Sequence, residues 1–264
     1  MKINPLLKNT SIGYKLFYYS SSTFALILFL ILWHITAVGG KTMLPTPADT
    51  LWRLITIWGT EISNQPMIAH VGISMWRILS ALIVAVLFGI PFGVAMGWNK
   101  TFRAIFKPIF EIIRPVPPIA WVPLVTLWFG TGEIPRIIII FMGVLMPIVV
   151  NSYAGVSMAP PLNIDVGRSF GAKSLDMLFD IVLPSSLGAI FAGVRTAVGT
   201  GWMVLLASEM LAAKSGIGFL IMQGTNNSDL NLAIVGMVMI GVMGALFAYG
   251  FDYLERWLCP WKRS

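Results

Sequence analysis

The stretch Asp165-Val-Gly-Arg-Ser-Phe-Gly-Ala-Lys-Ser-Leu-Asp-Met-Leu-Phe-Asp-Ile-Val-Leu-Pro184 is the longest polar interruption in the second half of a very apolar chain. Long hydrophobic stretches flank this polar segment on both sides. Its position between them divides this half of the chain into apolar segments that are joined by a polar loop. The fold therefore depends on whether the apolar segments are surrounded by water or by lipid.

The composition excludes an ordinary soluble domain. Of 264 residues, 57% are hydrophobic and 11% are charged, and the mean hydropathy is +0.82. Soluble domains carry about 25% charged residues, so this chain has too few charges to cover a globular surface in water. We interpret the net charge of +7 through the placement of Lys and Arg in a membrane protein, not as a nucleic-acid footprint. The lone Cys259 excludes an intrachain disulfide and a multi-cysteine metal site.

Several apolar segments are long enough to cross a bilayer core, which needs roughly 20 helical residues. We predict an all-α membrane protein with about six transmembrane helices, formed by a single transmembrane domain over residues 16–264 after an N-terminal tail of residues 1–15. The first apolar segment is too long for a signal-peptide core and is interpreted as a retained span. The predicted spans are 16–40, 73–97, 112–130, 137–158, 185–211 and 230–254, with a loop over 159–184.

The basic residues predict the orientation of these spans. An even number of spans places both termini on one side, and the positive-inside rule places the side that is rich in Lys and Arg in the cytoplasm. The poor side carries only Lys41, Arg53, Arg136 and Lys214. The rich side carries Lys2, Lys8, Lys15, Lys100, Arg103, Lys107, Arg114, Arg168, Lys173, Arg256, Lys262 and Arg263. Both termini and the 159–184 loop are therefore predicted to be cytoplasmic.

Two segments between the spans carry local signals. Thr46-Pro47-Ala48-Asp49 supplies an N-cap, a proline at the first helical position and an acid at the third. It predicts an interfacial helix, or alternatively a short re-entrant or loop helix. Residues 214–229 are polar and rich in glycine and asparagine, which predicts a loop.

Small residues recur at every fourth position in two predicted spans. On a helix, each set forms a narrow ridge that lets another helix approach closely. Helix packing explains both ridges, and the wall of a conduit is the alternative for the first. The ridges are Ala81, Ala85, Gly89, Gly93 and Gly97 in one span, and Ala189, Gly193, Ala197 and Gly201 in the other.

Residues 115–130 contain four prolines and no charged residue. A continuous helix is excluded there, because each proline removes a backbone donor and clashes one turn back. Broken backbone at membrane depth is tolerated only where protein or a water-filled cavity surrounds it. This segment is therefore the best candidate for a solute pathway, with a kinked structural helix as the alternative.

The sequence contains no evident catalytic constellation. Residues 167–174 superficially resemble a phosphate-binding P-loop, but they lack the G-x-x-x-x-G-K-[ST] spacing and no predicted strand precedes them. His34 and His70 are isolated and are interpreted as packed or interfacial residues. There is no HExxH motif, paired cysteine or Ser-His-Asp arrangement, so the sequence points to a protein that moves a solute rather than converts it.

The polar segment predicts two short helices. Apolar residues at 175, 178, 179 and 182 follow the i, i+3, i+4, i+7 spacing of an amphipathic helix. We expect Ser174 to cap this helix and Gly171 to permit a sharp bend from a first short helix around residues 165–170. Two helices that meet at a glycine would form a rigid projection, which indicates docking of a soluble partner.

The polar segment resembles the EAA loop of bacterial ABC-importer permeases, whose pattern is E-A-A-x3-G-x9-I-x-L-P. Gly171, Ile181 and Leu183-Pro184 match the pattern, whereas Asp165-Val-Gly stands in place of Glu-Ala-Ala. In that family the loop forms coupling helices that dock into a cleft of the ATP-binding subunit. The resemblance assigns docking of the ATPase to Asp165, Gly167, Arg168, Gly171, Ala172, Lys173, Ser174 and Pro184.

Three further stretches, residues 114–133, 193–202 and 207–210, are similar to the nitrate/sulfonate/taurine branch of these permeases. The ending Leu258-Cys-Pro-Trp261 looks most like taurine permeases. The resemblance covers roughly residues 45–264. It implies the type I ABC-importer permease fold, with cytoplasmic coupling helices, in a bacterial cytoplasmic (inner) membrane.

The resemblance implies a transport subunit that is not an enzyme and has no cofactor of its own. Two permease chains, as a homodimer in the lipid bilayer, would form the pathway, and two ATP-binding cassette subunits would bind ATP and Mg. An extracytoplasmic solute-binding protein would deliver a small anion such as taurine, another sulfonate or nitrate. No metal or nucleic acid is implied. The alternatives are a self-powered secondary transporter or channel, and a membrane enzyme.

The residues expected to contact solute include two charged groups with competing interpretations. Arg195 suits an anion, but its place near the inner end of a span also fits interfacial snorkelling. Glu209 is costly in lipid, so we expect it either to face a cavity, or else to pair with an arginine or a backbone donor or lie at the outer interface. The complete set is Pro117, Pro118, Trp121, Arg195, Trp202 and Glu209.

Overall fold

The computed structural model describes residues 12–39 and 44–258, so most of the predicted N-terminal tail and the ending with Cys259 lie outside the described residues. The chain is almost entirely helical in this part. The helices are α1 (Ile12–Val38), α2 (Pro47–Thr56), α3 (Met67–Trp98), α4 (Lys100–Ile113), α5 (Val122–Phe129), α6 (Glu133–Ser157), α7 (Pro161–Ser169), α8 (Ser174–Asp176), α9 (Leu183–Ala212), α10 (Ile217–Asn226) and α11 (Leu230–Leu258).

Shorter elements connect these helices. The 3₁₀ turns Ile57–Gly59 and Pro118–Trp121 follow α2 and precede α5, and a π-helix, Met177–Val182, joins α8 to α9. Strands β1 (Glu61–Ile62) and β2 (Gln65–Pro66) form a hairpin whose turn residues Ser63 and Asn64 have φ of 51° and 62°. Two positive φ angles are typical of a tight hairpin turn.

Within the described part of the chain, four helices are long and apolar enough to cross a membrane: α3, α6, the continuous helix Ser174–Leu211, and Leu230–Tyr253 of α11. α4 and residues 118–129 together pass the same test but are bent by 85°. Thr23–Val38 of α1 is a shorter apolar helix. These six elements overlap the six predicted spans, and the predicted all-α membrane fold is confirmed.

Three of these helices form the core, with α6 packed between α3 and α9. Ile78, Ile140 and Ile148 are fully buried there, and van der Waals packing joins the three helices, because lipid is as apolar as these side chains. Both small-residue ridges lie against α6. A Cβ placed on Gly93 would come within 2.6 Å of Ser152 Cβ, and one on Gly193 within 2.6 Å of Asn151 Cβ.

The prediction of a loop over residues 214–229 is wrong in part, because this segment contains α10. Glycine and asparagine dominated the prediction, but Ile217 and Leu220 are fully buried in a cluster with Met67 and Val235. Burial of this apolar face stabilises a helix that composition disfavours.

The predicted start of α2 is confirmed. Thr46 Oγ1 accepts from the Asp49 amide at 3.2 Å, and Asp49 Oδ2 accepts from the Thr46 amide at 3.3 Å, which completes a capping box around Pro47. Arg53 of this helix pairs with Asp229 at 3.0 Å, so α2 is tied to the turn that precedes α11.

Candidate functional site

A half-open cleft of about 430 Å³ lies between residues 113–121, the middle of α6 and the middle of α9. Its volume is within the range of small-molecule sites. Most of the wall is apolar, and its polar side chains are few. The lining residues are Ile113, Arg114, Val116, Pro118, Trp121, Met142, Gly143, Met146, Pro147, Val150, Asn151, Thr196, Thr200, Met203 and Val204.

The proline-rich segment forms one wall of the cleft. α4 ends at Ile113, Pro117 is extended with φ −59° and ψ 135°, and a 3₁₀ turn leads into α5. The backbone is therefore broken where the sequence excluded a continuous helix. Pro118 and Trp121, two of the predicted solute contacts, line the cleft, whereas Pro117 is outside its lining.

Pro147 shapes the second wall. It lies inside α6 and has no amide hydrogen, so the Gly143 carbonyl one turn earlier lacks its usual helical donor. Thr200 Oγ1, from α9, lies 3.4 Å from this carbonyl oxygen. Gly143, Pro147 and Thr200 all line the cleft, so the Thr200 hydroxyl supplies this carbonyl with a donor from the facing helix.

The polar side chains of the cleft differ in their hydrogen bonding. Asn151 Nδ2 donates to the Pro147 carbonyl at 2.8 Å, and Thr196 Oγ1 donates to the Ala192 carbonyl at 2.9 Å. Arg114 is the only charged residue among the described residues of the lining. The sequence prediction used Arg114 for orientation and as the first residue of the similar stretch 114–133, although a cation beside a charge-free proline segment was a signal that could have identified it as a cleft residue.

Trp202 lies in the core outside the cleft. It is 6% exposed and packs edge-on against Phe247, with ring centroids 6.0 Å apart. Its indole Nε1 has no hydrogen-bond partner among the described residues. Its assignment as a solute contact stays a prediction.

Arg195 is also placed away from the cleft lining. Its guanidinium pairs with Asp252 at 2.8 Å and with Glu255, both on α11. The pairing links α9 to α11 and gives this cation two carboxylate partners. A role for Arg195 in contacting solute stays a prediction.

Glu209 lies at the centre of a buried ionic cluster. Its carboxylate accepts from Arg77 Nη1 at 2.7 Å, from the Ser74 hydroxyl at 2.8 Å and from the Gly218 amide at 2.8 Å. Arg77 also donates to both carboxylate oxygens of Glu133, at 2.6 and 2.7 Å. Glu209 therefore has an arginine and a backbone donor, as one of the two interpretations expected, and it is outside the cleft lining.

The two histidines have different surroundings. His70 is fully buried, its Nδ1 accepts from the Gly216 amide at 3.1 Å, and its Nε2 lies 3.1 Å from the Ile62 carbonyl. This arrangement makes Nε2–H the donor to Ile62 and identifies His70 as a packed residue. His34 is exposed on α1. Among the described residues, no cluster of His, Cys, Asp or Glu could hold a metal ion.

The polar segment is built as two helices that meet at a bend. α7 ends at Ser169, and Gly171 has φ +79°, a conformation that glycine adopts readily. The Ala172 amide donates to the Gly167 carbonyl at 3.0 Å, and a Cβ on Gly167 would come within 2.5 Å of Ile181 Cδ1. The bend therefore packs α7 closely against the π-helix.

The predicted cap of the second helix is wrong by one residue. Lys173 has extended backbone and precedes the helix, and Ser174 is the first helical residue. The carboxylate of Asp176 accepts from the Lys173 amide at 3.2 Å. An acid at the third helical position thus accepts the amide of the residue that precedes the helix, so Asp176 rather than Ser174 supplies the cap.

The remaining assigned residues of this segment are solvent-exposed or helical. Arg168 lies 3.5 Å from Asp165, and both side chains are exposed. Pro184 is the second residue of α9, which directly follows the π-helical turn. The eight residues assigned to ATPase docking thus fall within one short stretch of the chain, and the assignment stays a prediction.

The second helix of the polar segment continues directly into α9. Ser174–Leu211 is one continuous helix of 38 residues. Within it, Met177–Val182 has π-helical hydrogen bonding. Thr196, Thr200, Met203 and Val204 of the cleft lie on the same helix. One helix therefore runs from the residues that follow the exposed bend to the cleft.

Comparison with known proteins matches residues 85–264 to the family described as "Binding-protein-dependent transport system inner membrane component". The chain belongs to this family of transport permeases. The match includes the polar segment, the cleft and the Glu133 and Glu209 members of the ionic cluster. The resemblance to ABC-importer permeases is confirmed.

Curated relatives place the permease near the expected branch. The taurine transport system permease protein TauC of Escherichia coli is 35% identical over 83% of this chain and 80% of its own length. The putative aliphatic sulfonates transport permease protein SsuC of Escherichia coli is 30% identical, covering 83% and 82%. The nitrate import permease protein NrtB of Synechocystis is 27% identical, covering 89% and 88%.

A solved structure supports the fold of the permease. The inward facing conformation of the MetNI methionine ABC transporter matches with a TM-score of 0.58 at 18% identity, covering 72% of this chain and 96% of that chain. The likeness shows that the helices are arranged as in an ABC-importer permease. The predicted fold class is therefore confirmed at the level of the chain's architecture.

Proposed function

We propose that this permease forms the translocation pathway of an ATP-driven importer for a small anion: taurine, another sulfonate or nitrate. The names of the relatives supply the class of solute. The cleft between α6, α9 and the proline-rich segment supplies a place for it in the membrane-spanning region. ATP and Mg bind to partner subunits in this proposal, and this chain contributes no catalytic residue.

The continuous helix Ser174–Leu211 is the observation that carries the proposal. An importer must convert ATP hydrolysis outside the membrane into movement at the solute site. A movement applied to the bend at Gly171 would pass along this helix to Thr196 and Thr200 in the cleft. The π-helical turn lies between the two ends, and such turns are frequent at functional sites.

The surface of the bend fits a protein partner. Phe170 is 87% exposed and Leu175 is 65% exposed, and both lie among polar residues. Exposed apolar side chains with a polar rim are typical of protein interaction sites. The positive-inside rule places this surface in the cytoplasm, where an ATP-binding cassette subunit would dock.

The complete importer would contain two copies of this permease, as a homodimer, two ATP-binding cassette subunits and an extracytoplasmic solute-binding protein. The cleft is half-open in the single chain, so a second permease copy would complete its walls. Pro118 and Trp121 are the proposed solute contacts that the cleft supports best. The six spans place both termini in the cytoplasm of a bacterial inner membrane in this proposal.

Reconstitution tests the function. The permease is purified with the ATP-binding subunits and solute-binding protein of the same transport system and inserted into proteoliposomes. We expect uptake of labelled taurine, ethanesulfonate or nitrate that needs both enclosed ATP and the binding protein. Uptake by the permease alone, driven by an ion gradient, would instead identify a secondary transporter or channel and overturn the proposal.

A further inference from the structure

We propose that Arg114 is the anion-recognition residue of the cleft and that it binds the oxygen atoms of a small sulfonate or nitrate. The inference rests on the proposed function and names the group that selects the charge of the solute. It assigns a role in binding to a residue that was not among the predicted solute contacts. The charge, the free donors and the surroundings of this side chain support the role together.

The first observation is the charge of the cleft. Among the described residues that line it, Arg114 is the only charged one, and none carries a carboxylate. The cleft therefore has a net positive charge, which attracts anions and repels cations. Its lining also includes the apolar residues Val116, Pro118 and Met146.

The second observation is that the Arg114 guanidinium has no hydrogen-bond or ion-pair partner among the described residues. Every other arginine whose side chain the structure describes has one. The partners are Asp229 for Arg53, Glu133 and Glu209 for Arg77, the Met96 and Gly97 carbonyls for Arg103, Glu133 for Arg136, Asp165 for Arg168, and Asp252 and Glu255 for Arg195. Arg114 lines the cleft with an exposed side chain, and the five N–H donors of its guanidinium have no acceptor among the described residues.

The other polar side chains of the cleft have fewer free donors than Arg114 and carry no charge. The hydroxyls of Thr196 and Thr200 already donate to main-chain carbonyls. One N–H of the Asn151 amide is engaged with the Pro147 carbonyl. A planar guanidinium matches two oxygens of a sulfonate or nitrate at once, so Arg114 is the group in the cleft that suits an oxyanion.

The position of Arg114 is fixed by the helix that precedes it. Its amide donates to the Phe110 carbonyl at 2.9 Å at the end of α4. Phe110, Phe106 and Phe102 contact the Phe92 ring of α3, with centroids 5.4–6.4 Å apart. These ring contacts hold α4 against α3 and place the backbone of Arg114 at the start of the broken segment.

Direct binding tests this role. The assembled importer without its solute-binding protein is placed in lipid nanodiscs, and binding of labelled taurine is measured with ethanesulfonate, nitrate and choline as competitors. We expect Arg114→Gln to weaken binding of all three anions by about 10- to 100-fold, as for loss of a charge-assisted hydrogen bond. We expect Arg114→Lys to lose less, because the charge remains while the two-point contact is lost.

The matched control is Lys107→Gln. Lys107 lies on the same helix, is exposed, and is outside the cleft lining. It should leave anion binding and uptake unchanged. Size-exclusion profiles and basal ATP hydrolysis show whether each variant still assembles. If Arg114→Gln does not assemble, Arg114→Lys is used for the test instead.

Lipid phosphate has the same chemistry as the proposed ligand, so the assay is repeated in phosphatidylcholine with and without phosphatidylglycerol. If Arg114→Gln changes only the dependence on phosphatidylglycerol, Arg114 binds lipid and the proposal is overturned. If the wild-type importer transports an anion and Arg114→Gln binds it equally well, the inference fails while the proposed function stands. A wild-type importer that moves only cationic or neutral solutes overturns both.

Discussion

Arg77 Nη1 and Glu209 Oε1 are 2.7 Å apart, and the two side chains are 0% and 1% exposed. The same guanidinium binds Glu133 through Nε and Nη2 and reaches the Ser215 carbonyl at 2.8 Å. One cation on α3 therefore joins α6, α9 and the link before α10. Because a buried ion is stable only when it is paired, this cluster fixes how the helix ends are arranged.

Replacing Arg77 with Met should destabilise the permease strongly. The change leaves Glu209 buried, with Ser74 and the Gly218 amide as its remaining partners, and loss of one member of a buried pair costs about 3–5 kcal/mol. The measurement is thermal or denaturant unfolding of the purified permease in detergent.

The exposed pair Arg53–Asp229 provides the comparison for Arg77. Its side chains are 35% and 34% exposed, and such pairs contribute about 0–1 kcal/mol. Arg53→Met should therefore shift unfolding only slightly. Equal shifts for Arg77→Met and Arg53→Met would show that the buried cluster contributes no more than a surface pair.

Gly93→Val should separate α3 from α6. A Cβ at Gly93 would lie 2.6 Å from both Ser152 Cβ and the Val149 carbonyl oxygen, and the backbone atom cannot move aside. Overpacking of this kind costs about 1–3 kcal/mol or more. Unfolding in detergent measures the cost, and Gly72→Val on the same helix is the control, because a Cβ there would meet no atom within 4 Å. If both variants unfold alike, close contact at Gly93 is not what joins the helices.

Local signals in the sequence predicted the elements that depend on neighbouring residues. Thr46 and Asp49 are three residues apart, so their capping box is visible in the sequence. The bend at Gly171 follows likewise from a glycine between two polar stretches, and the long apolar segments follow from hydropathy.

Contacts between distant residues account for what the sequence did not predict. Arg77 and Glu209 are 132 positions apart, and no periodicity in either segment indicates that they pair. The α10 helix forms because its apolar face is buried against residues from α3 and α11, although its glycine and asparagine content favours a loop. The cleft role of Arg114 needed the same kind of three-dimensional information, since α6 and α9 supply the opposite walls.

Reversing the charge at Asp165 should uncouple ATP hydrolysis without unfolding the permease. The Asp165–Arg168 pair is 3.5 Å long and exposed at 67% and 65%, so its loss has little effect on stability. We expect Asp165→Lys to abolish the stimulation of ATP hydrolysis by loaded binding protein, while membrane insertion stays normal. Glu111→Lys, an equally drastic change at an exposed site on α4, should keep the stimulation. Stimulation that survives in Asp165→Lys would count against docking at this residue.

Substitutions at two glycines with positive φ distinguish the effect of backbone strain from the effect of where the residue lies in the fold. Gly171 has φ +79° and Gly130 has φ +74°, and no atom lies within 4 Å of a Cβ at either site. Alanine at each therefore introduces strain of about 1–3 kcal/mol without a steric clash. Gly171 forms the bend of the polar segment. Gly130 follows α5, at the end of the predicted span 112–130 that is expected to lie away from the cytoplasm. We expect both Gly171→Ala and Gly130→Ala to lower the unfolding temperature, but only Gly171→Ala to reduce stimulated ATP hydrolysis and uptake. If the two variants reduce ATP hydrolysis equally, general destabilisation explains the loss, and the bend has no special part in coupling.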